Sequence, residues 1–307
     1  MLVVFHAVLG RRYGVIEYDI YPQIMAAMGL VRGNGFVYRI WWRWHAWALM
    51  RANIVIAIAD EMADELRSMV RTGSVNLVTV PTWTDTDRIR PIPRTENPFV
   101  RSLGLETDLC IIYSGNLGET HAIETIVEIA GRLIARTHIR FVVIGDGSKR
   151  PIVEDAIESG RAPNITLLPP QESAVFPLAL ASADIAFVTL ADGYERLSLP
   201  SKTYDMMAAG CAIIGISPSS SGLAQLLETH AVGRNFEPSQ VTDIVAWIEE
   251  IAGNRSTLEV HRRAARNAAE AHFGATVCQP AMTRAISRIW PILRPRDKKR
   301  NGLAGQR

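Results

Sequence analysis

A lysine and an aspartate one helical turn apart are the residues of this sequence that most clearly suggest chemistry. Pro200 and Ser201 are expected to open a helix, whose free N–H groups and dipole favour an anion by about 0.3–1 kcal/mol. Lys202 adds a positive charge in the first turn, so a diphosphate would fit there. Asp205 follows on the same face, where its carboxylate can accept hydrogen bonds from ribose hydroxyls. A capped helix with an internal Lys–Asp pair explains the same residues without a ligand.

Three other loops follow predicted strands and contain small residues, at which a backbone can approach a ligand closely. Residues 114–118 precede a helix and suit a phosphate or a sugar, although a tight turn explains them too. Residues 144–150 lack the glycine spacing and distant acidic residue of a dinucleotide fingerprint, and they lack the motif of a phosphate loop. We therefore reject nicotinamide binding and keep a nucleotide-contacting turn open. Residues 217–222 form a small-residue loop that could complete the same cradle.

The elements that position these loops alternate strand and helix, which predicts an α/β fold with a doubly wound parallel sheet. All four loops follow parallel strands, so they fall at the carboxyl edge of the sheet. Open α/β sheets bind their ligands at this edge. The predicted strands are 109–114, 139–144, 165–168, 185–190 and 212–216, and the predicted helices are 123–134, 151–158, 172–181, 204–209, 241–251 and 258–272. Upstream, we predict helices at 2–12, 36–51 and 61–72 and strands at 15–20, 54–59 and 76–80, a thin and incomplete sheet.

Charge and cysteine content restrict the partners. The net charge of +2 divides into +5 for residues 294–307 and −3 for the remainder, which argues against nucleic acid and leaves an anionic membrane surface or a frayed terminus open. The three cysteines are scattered, so neither a disulfide framework nor a zinc site is indicated, and a reducing cytoplasm fits. No apolar run approaches the ~20 residues of a membrane span.

Three motifs together carry a family resemblance. The run Pro-Ser-Lys-Thr-Tyr-Asp-Met-Met-Ala-Ala-Gly at 200–210, Tyr-Ser-Gly-Asn-Leu-Gly-Glu-Thr-His at 113–121 and Ile-Gly-Asp-Gly at 144–147 resemble the donor half of family 4 glycosyltransferases. The branch that assembles bacterial exopolysaccharides and O-antigens is the most similar. Weaker matches are residues 18–22, which resemble an Asp-Leu-Trp-Pro segment of the family, and residues 80–85, which resemble its interdomain linker.

The resemblance implies two facing Rossmann-like domains (GT-B type), with a nucleotide diphosphate sugar bound by the second and an acceptor by the first. It implies a retaining transferase that needs no metal and no cofactor, with a UDP- or GDP-linked sugar as donor and a polyprenyl-diphosphate-linked saccharide as acceptor. Such an enzyme of surface polysaccharide synthesis would be cytoplasmic and peripheral at the inner face of the cell membrane.

The resemblance also implies roles for individual residues. Lys202 and Asp19 are expected to be catalytic, and Asp205 matches a glutamate that holds the ribose. The remaining donor-binding residues fall into a segment that meets the diphosphate, a loop that faces the phosphates, a pair beside the base, and two less regular matches. The diphosphate segment is Ser198, Leu199, Pro200 and Ser201, the phosphate-facing loop contains Gly115, Asn116 and Gly118, and the pair beside the base is Gly145 and Gly147. The two less regular matches are His121, an expected phosphate contact, and Glu195. Glu195 stands ten residues before Asp205, which departs from the family's paired-glutamate spacing.

The expected domains are a partial acceptor-side Rossmann-like domain at 1–85, a linker at 86–99 and a donor-binding domain at 100–275. A C-terminal helix at 276–293 is expected to return to the N-terminal domain, and a basic tail follows at 294–307. The amino-terminal domain is shorter than the family's, so either the start is truncated or a second polypeptide supplies the missing acceptor half. A catalytically inactive or partner-dependent nucleotide-sugar-binding fragment or subunit is therefore the rival, and an epimerase would need acid and base residues that we do not identify.

Two further features have weaker implications. Asp85-Thr86-Asp87 resembles a metal motif of a different glycosyltransferase fold, but its place in the linker favours a solvated turn. Residues 36–51 hold four of the seven tryptophans together with Arg39 and Arg43. Aromatic and cationic residues suit a membrane interface, and a core-packing helix left uncovered by the missing strands is the alternative.

Overall fold

A computed structural model of the chain describes residues 12–70 and 75–289. The helix predicted at 2–12 and the basic tail at 294–307 lie outside the described residues, apart from Arg12. So do the last residues of the helices predicted at 61–72 and 276–293.

Two parallel sheets organise the fold. The first has the order β1-β2-β3 and the second the order β6-β5-β4-β7-β8-β9, with every pair of neighbouring strands parallel. The strands are β1 (Gly14–Glu17), β2 (Ile54–Ala57), β3 (Leu77–Thr79), β4 (Leu109–Ser114), β5 (Ile139–Ile144), β6 (Ile165–Leu168), β7 (Ile185–Thr189), β8 (Ala212–Ile216) and β9 (Gly233–Phe236). The second sheet has the strand order of a Rossmann fold: β5 and β6 are added on one side of β4, and β7, β8 and β9 on the other, so the strand order reverses between β4 and β7.

Helices cover both faces of the second sheet, which explains why β4, β7 and β8 are buried along their whole length and are apolar except near their ends. The helices are α1 (Gln23–Ala27), α2 (Phe36–Arg51), α3 (Asp60–Val70), α4 (Pro98–Leu103), α5 (Ile123–Arg132), α6 (Arg150–Glu158), α7 (Phe176–Leu180), α8 (Lys202–Ala208), α9 (Gly222–His230), α10 (Val241–Gly253), α11 (Arg255–Ala268) and α12 (Ala275–Ser287). A short π-helical segment, Ala269–Phe273, joins α11 to α12.

Several predicted elements need correction. Helix α7 is half the length predicted for 172–181, because the chain turns at residues 172–175 before the helix begins. Helix α4 lies at the end of the segment that the prolines mark as linker, where Asn97 caps the helix by accepting from the Phe99 amide at 2.9 Å. Strand β9 and the short helix α1 were missed, since neither has a sustained hydrophobic period.

The two sheets are joined by direct contacts. After β1, the Ile20 amide donates to the Leu197 carbonyl at 3.1 Å, and Asp19 forms an antiparallel bridge with Ser198. Helix α12 packs under the first sheet, where Ala285 shares a small buried cluster with Ile54. These contacts hold the carboxyl ends of the two sheets next to each other.

Candidate functional site

A cleft of ≈ 530 Å³ lies between the two sheets, beyond the carboxyl ends of β1, β4 and β7. It therefore occupies the reversal point of the second sheet, where open α/β sheets bind ligands. Its lining includes the predicted site residues Asp19, Gly115, Asn116, His121, Ser198, Pro200, Ser201 and Lys202. The structure thus brings both expected catalytic residues, Asp19 from the loop after β1 and Lys202 from the start of α8, into a single cleft.

Lys202 is a half-buried cation in this cleft. Its Nζ donates to the Tyr113 hydroxyl at 3.1 Å and lies 4.3 Å from the centre of the Tyr113 ring. Within residues 12–70 and 75–289, no carboxylate forms an ion pair with Lys202. Burial lowers the pKa of Lys202 to about 7. Removing a charge from water without a counterion costs free energy, and a bound anion would offset that cost. The position of Lys202 therefore suits an anionic ligand.

The two glycine-containing turns pack against each other beneath the cleft. A Cβ at Gly145, where φ is +153°, would lie 1.9 Å from the Gly115 carbonyl oxygen, so only glycine fits. The Leu117 amide donates to the Asp146 carbonyl at 2.9 Å and further joins the turns. Gly145 and Gly147 therefore support the 115–118 turn and do not line the cleft, and Gly118 packs beside Asn116.

His121 reaches the cleft from the residues just before α5. Its Nδ1 lies 2.9 Å from the hydroxyl of the fully buried Thr189, and its carbonyl accepts from Lys149 Nζ at 2.9 Å. Burial and the charges of Lys202 and Lys149 lower the pKa of His121 to about 4. The imidazole is consequently neutral at neutral pH, and it can contact a phosphate only through a hydrogen bond.

Asp205 points toward the linker. Its Oδ1 accepts from the Thr84 hydroxyl at 2.7 Å, and burial raises the pKa of Asp205 although this hydrogen bond opposes the rise. The internal Lys202–Asp205 pair that would explain the motif without a ligand does not form, because Lys202 turns to Tyr113. Asp205 does not line the cleft, and its expected ribose contact stays a prediction.

Other predicted residues lie beside the cleft. Glu195 accepts from the Gly193 amide at 2.9 Å and caps its own loop. Leu199 lines a second cavity of ≈ 520 Å³ between the sheets. The Ser217 and Ser221 hydroxyls, 2.8 Å apart, are buried and bond to each other. Residues 217–222 do not line the first cleft, so they do not complete the expected cradle there.

Sequence reasoning missed several residues that shape the site. Tyr113 and Thr189, each near the end of a buried strand, hold Lys202 and His121. On the first sheet, His45 Nε2 lies 2.8 Å from the buried Glu17 carboxylate, and its Nδ1 contacts the Tyr21 carbonyl. Glu17 and Tyr21 flank the loop that presents Asp19. The position of a polar residue at a strand end was the one available signal.

The residues that the structure describes contain no group of three or more metal-ligating side chains. Asp85 caps a turn, as predicted, by accepting from the Asp87 and Arg88 amides at 3.1 and 3.0 Å. None of the described helices is long and apolar enough to cross a membrane.

Comparison with known families identifies the second sheet and its helices. Residues 108–254 match the sequence profile of the family Glycosyl transferases group 1. The chain contains a glycosyltransferase group 1 domain. That domain includes β4 through α10, and with them Lys202, His121 and both glycine turns. The family assignment from the three motifs is confirmed.

Two curated relatives of this chain come from bacteria. It is 25% identical over 248 residues to the probable glycosyltransferase WbjE of Pseudomonas aeruginosa, covering 79% of this chain and 60% of that protein. It is 28% identical over 198 residues to the putative colanic acid biosynthesis glycosyl transferase WcaI of Escherichia coli K12, covering 64% and 47% respectively. The chain thus spans between about half and three fifths of these relatives' length.

Solved structures share the fold of this chain. Anabaena Alr3699/HepE in complex with UDP-glucose superposes with a TM-score of 0.73 at 12% identity, covering 93% of this chain and 74% of that one. Sucrose-phosphate synthase from Thermosynechococcus elongatus gives a TM-score of 0.75 at 14% identity, covering 95% and 77%. At such low identity the likeness establishes the fold alone: two facing Rossmann-like units of the GT-B type.

Proposed function

We propose that this chain is a retaining glycosyltransferase that moves a sugar from a nucleotide diphosphate sugar to a lipid-linked saccharide in surface polysaccharide synthesis. The observation that carries the proposal is Lys202, a half-buried cation without a carboxylate partner among the described residues, beside a glycine turn at the reversal point of the second sheet. The name of WcaI, a putative colanic acid biosynthesis glycosyl transferase, and the UDP-glucose in the HepE complex support the same conclusion.

The proposed reaction breaks the bond between the sugar C1 and the oxygen of the terminal phosphate, and the electron pair leaves with the diphosphate. A cation aimed at this developing charge in a partly dry cleft is typically worth ~2.7–4 kcal/mol. Lys202 is proposed to supply that stabilisation. The amides of the 115–118 turn and of the start of α8 would add to it, so the proposal needs no metal and no cofactor.

The acceptor is proposed to enter from the side of the first sheet. Asp19 lines the cleft there, and the bridge between Asp19 and Ser198 fixes its backbone beside the donor segment. As the acceptor hydroxyl oxygen bonds to the sugar C1 on the face that the diphosphate leaves, Asp19 is proposed to take the hydroxyl proton. A UDP- or GDP-linked sugar as donor and a polyprenyl-diphosphate-linked saccharide as acceptor remain the substrates that the family resemblance favours.

An anionic membrane surface is the proposed location, at the cytoplasmic face. Helix α2 exposes Phe36 (78%) and Trp44 (61%) beside Arg39 and Arg43, and its sequence contains no acidic residue. Trp beside Arg is typical of membrane interfaces.

We expect the protein to sediment with phosphatidylglycerol vesicles, and we expect added salt to reduce the sedimented fraction. Trp44→Ser should lower this fraction, whereas Val260→Ser, which changes a matched exposed residue on α11 (56%), should not. Equal sedimentation with neutral and anionic vesicles would exclude this surface.

Transfer itself is tested with the 307-residue chain, bacterial membranes, and radiolabelled UDP-glucose and GDP-mannose in parallel. Label that enters the organic-solvent extract, and does not do so with Lys202→Met, supports the transferase. Nucleotide-sugar binding by calorimetry without any transfer would instead favour the binding subunit, and adding a second polypeptide would then be required for turnover. Neither binding nor transfer with either donor would overturn the proposed function.

A further inference from the structure

Tyr113 connects Lys202 to the glycine turn. It is the penultimate residue of β4, and its side chain is 1% exposed. The hydroxyl donates to the Asn116 carbonyl at 2.7 Å and accepts from Lys202 Nζ at 3.1 Å. One phenol therefore bonds to both parts of the proposed diphosphate cradle.

We propose that Tyr113 is a positioning residue, whose hydroxyl fixes the Lys202 ammonium against the 115–118 turn in the place where a diphosphate binds. This inference rests on the proposed function for the identity of the ligand. Tyr113 does not line the cleft, so it acts through Lys202 and does not touch the donor.

The hydrogen-bonding capacity of each group supports this role. A phenol has one proton to donate, and the Asn116 carbonyl takes it, so the oxygen is left to accept from Lys202. Burial raises the pKa of Tyr113, which keeps that proton in place. An ammonium has three donors, and the described residues give Lys202 a single hydrogen bond, to Tyr113. The other two donors remain for an anion.

Packing fixes the position of the ammonium on the opposite side. A Cβ at Gly115 would lie 2.9 Å from Lys202 Nζ, so the lysine head lies directly on the backbone of the turn. The ring of Tyr113 lies 4.3 Å from Nζ and favours the cation from below. Tyr113→Phe keeps this ring and removes only the hydroxyl, which isolates the proposed contribution.

The first test needs no ligand. The sequence has four lysines, so a spectrum of the chain with ¹³C-labelled lysine is simple, and Lys202→Met assigns the Lys202 signal. We expect Tyr113→Phe to shift the Lys202 Cε signal and to move its titration to lower pH, while the Lys149 signal stays unchanged. The matched control is Tyr13→Phe, which removes another buried tyrosine hydroxyl bonded to a backbone carbonyl, that of Ala48 at 2.6 Å. An unchanged Lys202 signal in Tyr113→Phe would overturn the inference.

The second test is a double-mutant cycle read by calorimetric binding of UDP-glucose and, in parallel, GDP-mannose. Tyr113→Phe should weaken binding about tenfold, the typical effect of a hydrogen bond to a charged group. In the Lys202→Met background it should have no further effect, because Tyr113 acts through the lysine. If the double variant loses affinity by the product of the two single losses, the positioning role is contradicted. If the unmodified chain binds neither compound, the proposed function fails, and the lysine spectrum alone still decides whether Tyr113 holds Lys202.

Discussion

Lys202 Nζ lies 3.1 Å from the hydroxyl oxygen of Tyr113 and 4.3 Å from the centre of its ring. The lysine comes from the first residue of α8 and the tyrosine from the end of β4, so the contact joins the two sides of the sheet's reversal point. Among residues 12–70 and 75–289, no carboxylate forms an ion pair with this lysine, and we propose that the cleft therefore binds an anion.

Binding of UDP-glucose should weaken as the pH rises above 7. Both phosphates of this ligand are esterified, so its charge does not change near neutral pH. The ammonium form of Lys202 binds it, and that form is lost above the pKa of about 7 that burial imposes. Calorimetry should show full affinity below pH 7, a decline of up to about tenfold per pH unit above it, and proton uptake. The Lys202→Met variant should show a flat profile, and a flat profile in the unmodified chain would refute this prediction.

Gly145→Ala should disrupt the turn that supports the cleft. The new Cβ would meet the Gly115 carbonyl at 1.9 Å, and the positive φ adds a cost of order 1–3 kcal/mol. We expect lower melting temperature and weaker UDP-glucose binding. Gly160→Ala is the matched control, since it also has a positive φ (+74°) but open space around it. Equal binding by the two variants would show that the 115–118 turn plays no part.

Asp205→Ala should weaken binding of UDP and UDP-glucose by the same factor, about 10- to 100-fold, because the proposed hydrogen bonds are to the ribose that both contain. Calorimetry with both ligands measures this. Thr84→Val removes the linker hydroxyl that Asp205 accepts from and should leave both affinities nearly unchanged. If Thr84→Val weakens binding as much as Asp205→Ala, the aspartate only anchors the linker.

Asp184→Ala should destabilise the fold without changing the site. This carboxylate is 2% exposed at the start of β7, where it accepts from Arg94, from Arg262 at 3.3 Å and from the Cys110 amide at 3.0 Å. Removing it leaves two partly buried cations, which should lower the free energy of unfolding by about 3–5 kcal/mol. Denaturant unfolding is the measurement, and Glu128→Ala, which removes an exposed helical pair, should cost only about 0.3–0.5 kcal/mol. Similar values for the two variants would contradict the network's structural role.

Much of the second sheet could be predicted from sequence, because a buried parallel strand needs an unbroken apolar run. Strands β4, β5, β6 and β8 have the predicted bounds. The long helix α2 also has its predicted bounds, set by Gly35 before it and Ala52 after it. By contrast, β9 was missed because Gly233, Arg234 and Asn235 resemble a loop, and only pairing with β8 makes them a strand.

The site was predicted as a set of loops, and their partners could not be. The motif indicated Lys202, and the local spacing left a contact with Asp205 open as the explanation without a ligand. The tertiary fold instead brings Tyr113 to Lys202 from a strand 89 positions away. Likewise, nothing in the 144–147 turn shows that its glycines face Gly115 and not a ligand. Contacts between distant segments decide which of the polar residues at strand ends enter the cleft.

The most direct test of the central claim is the transfer rate of Lys202→Met beside its thermal melt. Loss of the cation that faces the leaving diphosphate should lower transfer about 10²- to 10³-fold. Stability should not fall: burial holds the pKa of Lys202 below its unfolded value, so the protonated form costs stability fully below pH 7 and less as the pH rises. The melting temperature of Lys202→Met should therefore be equal or higher, with the larger gain at pH 6 than at pH 9. Unchanged transfer, or a collapsed melting temperature, would contradict the account.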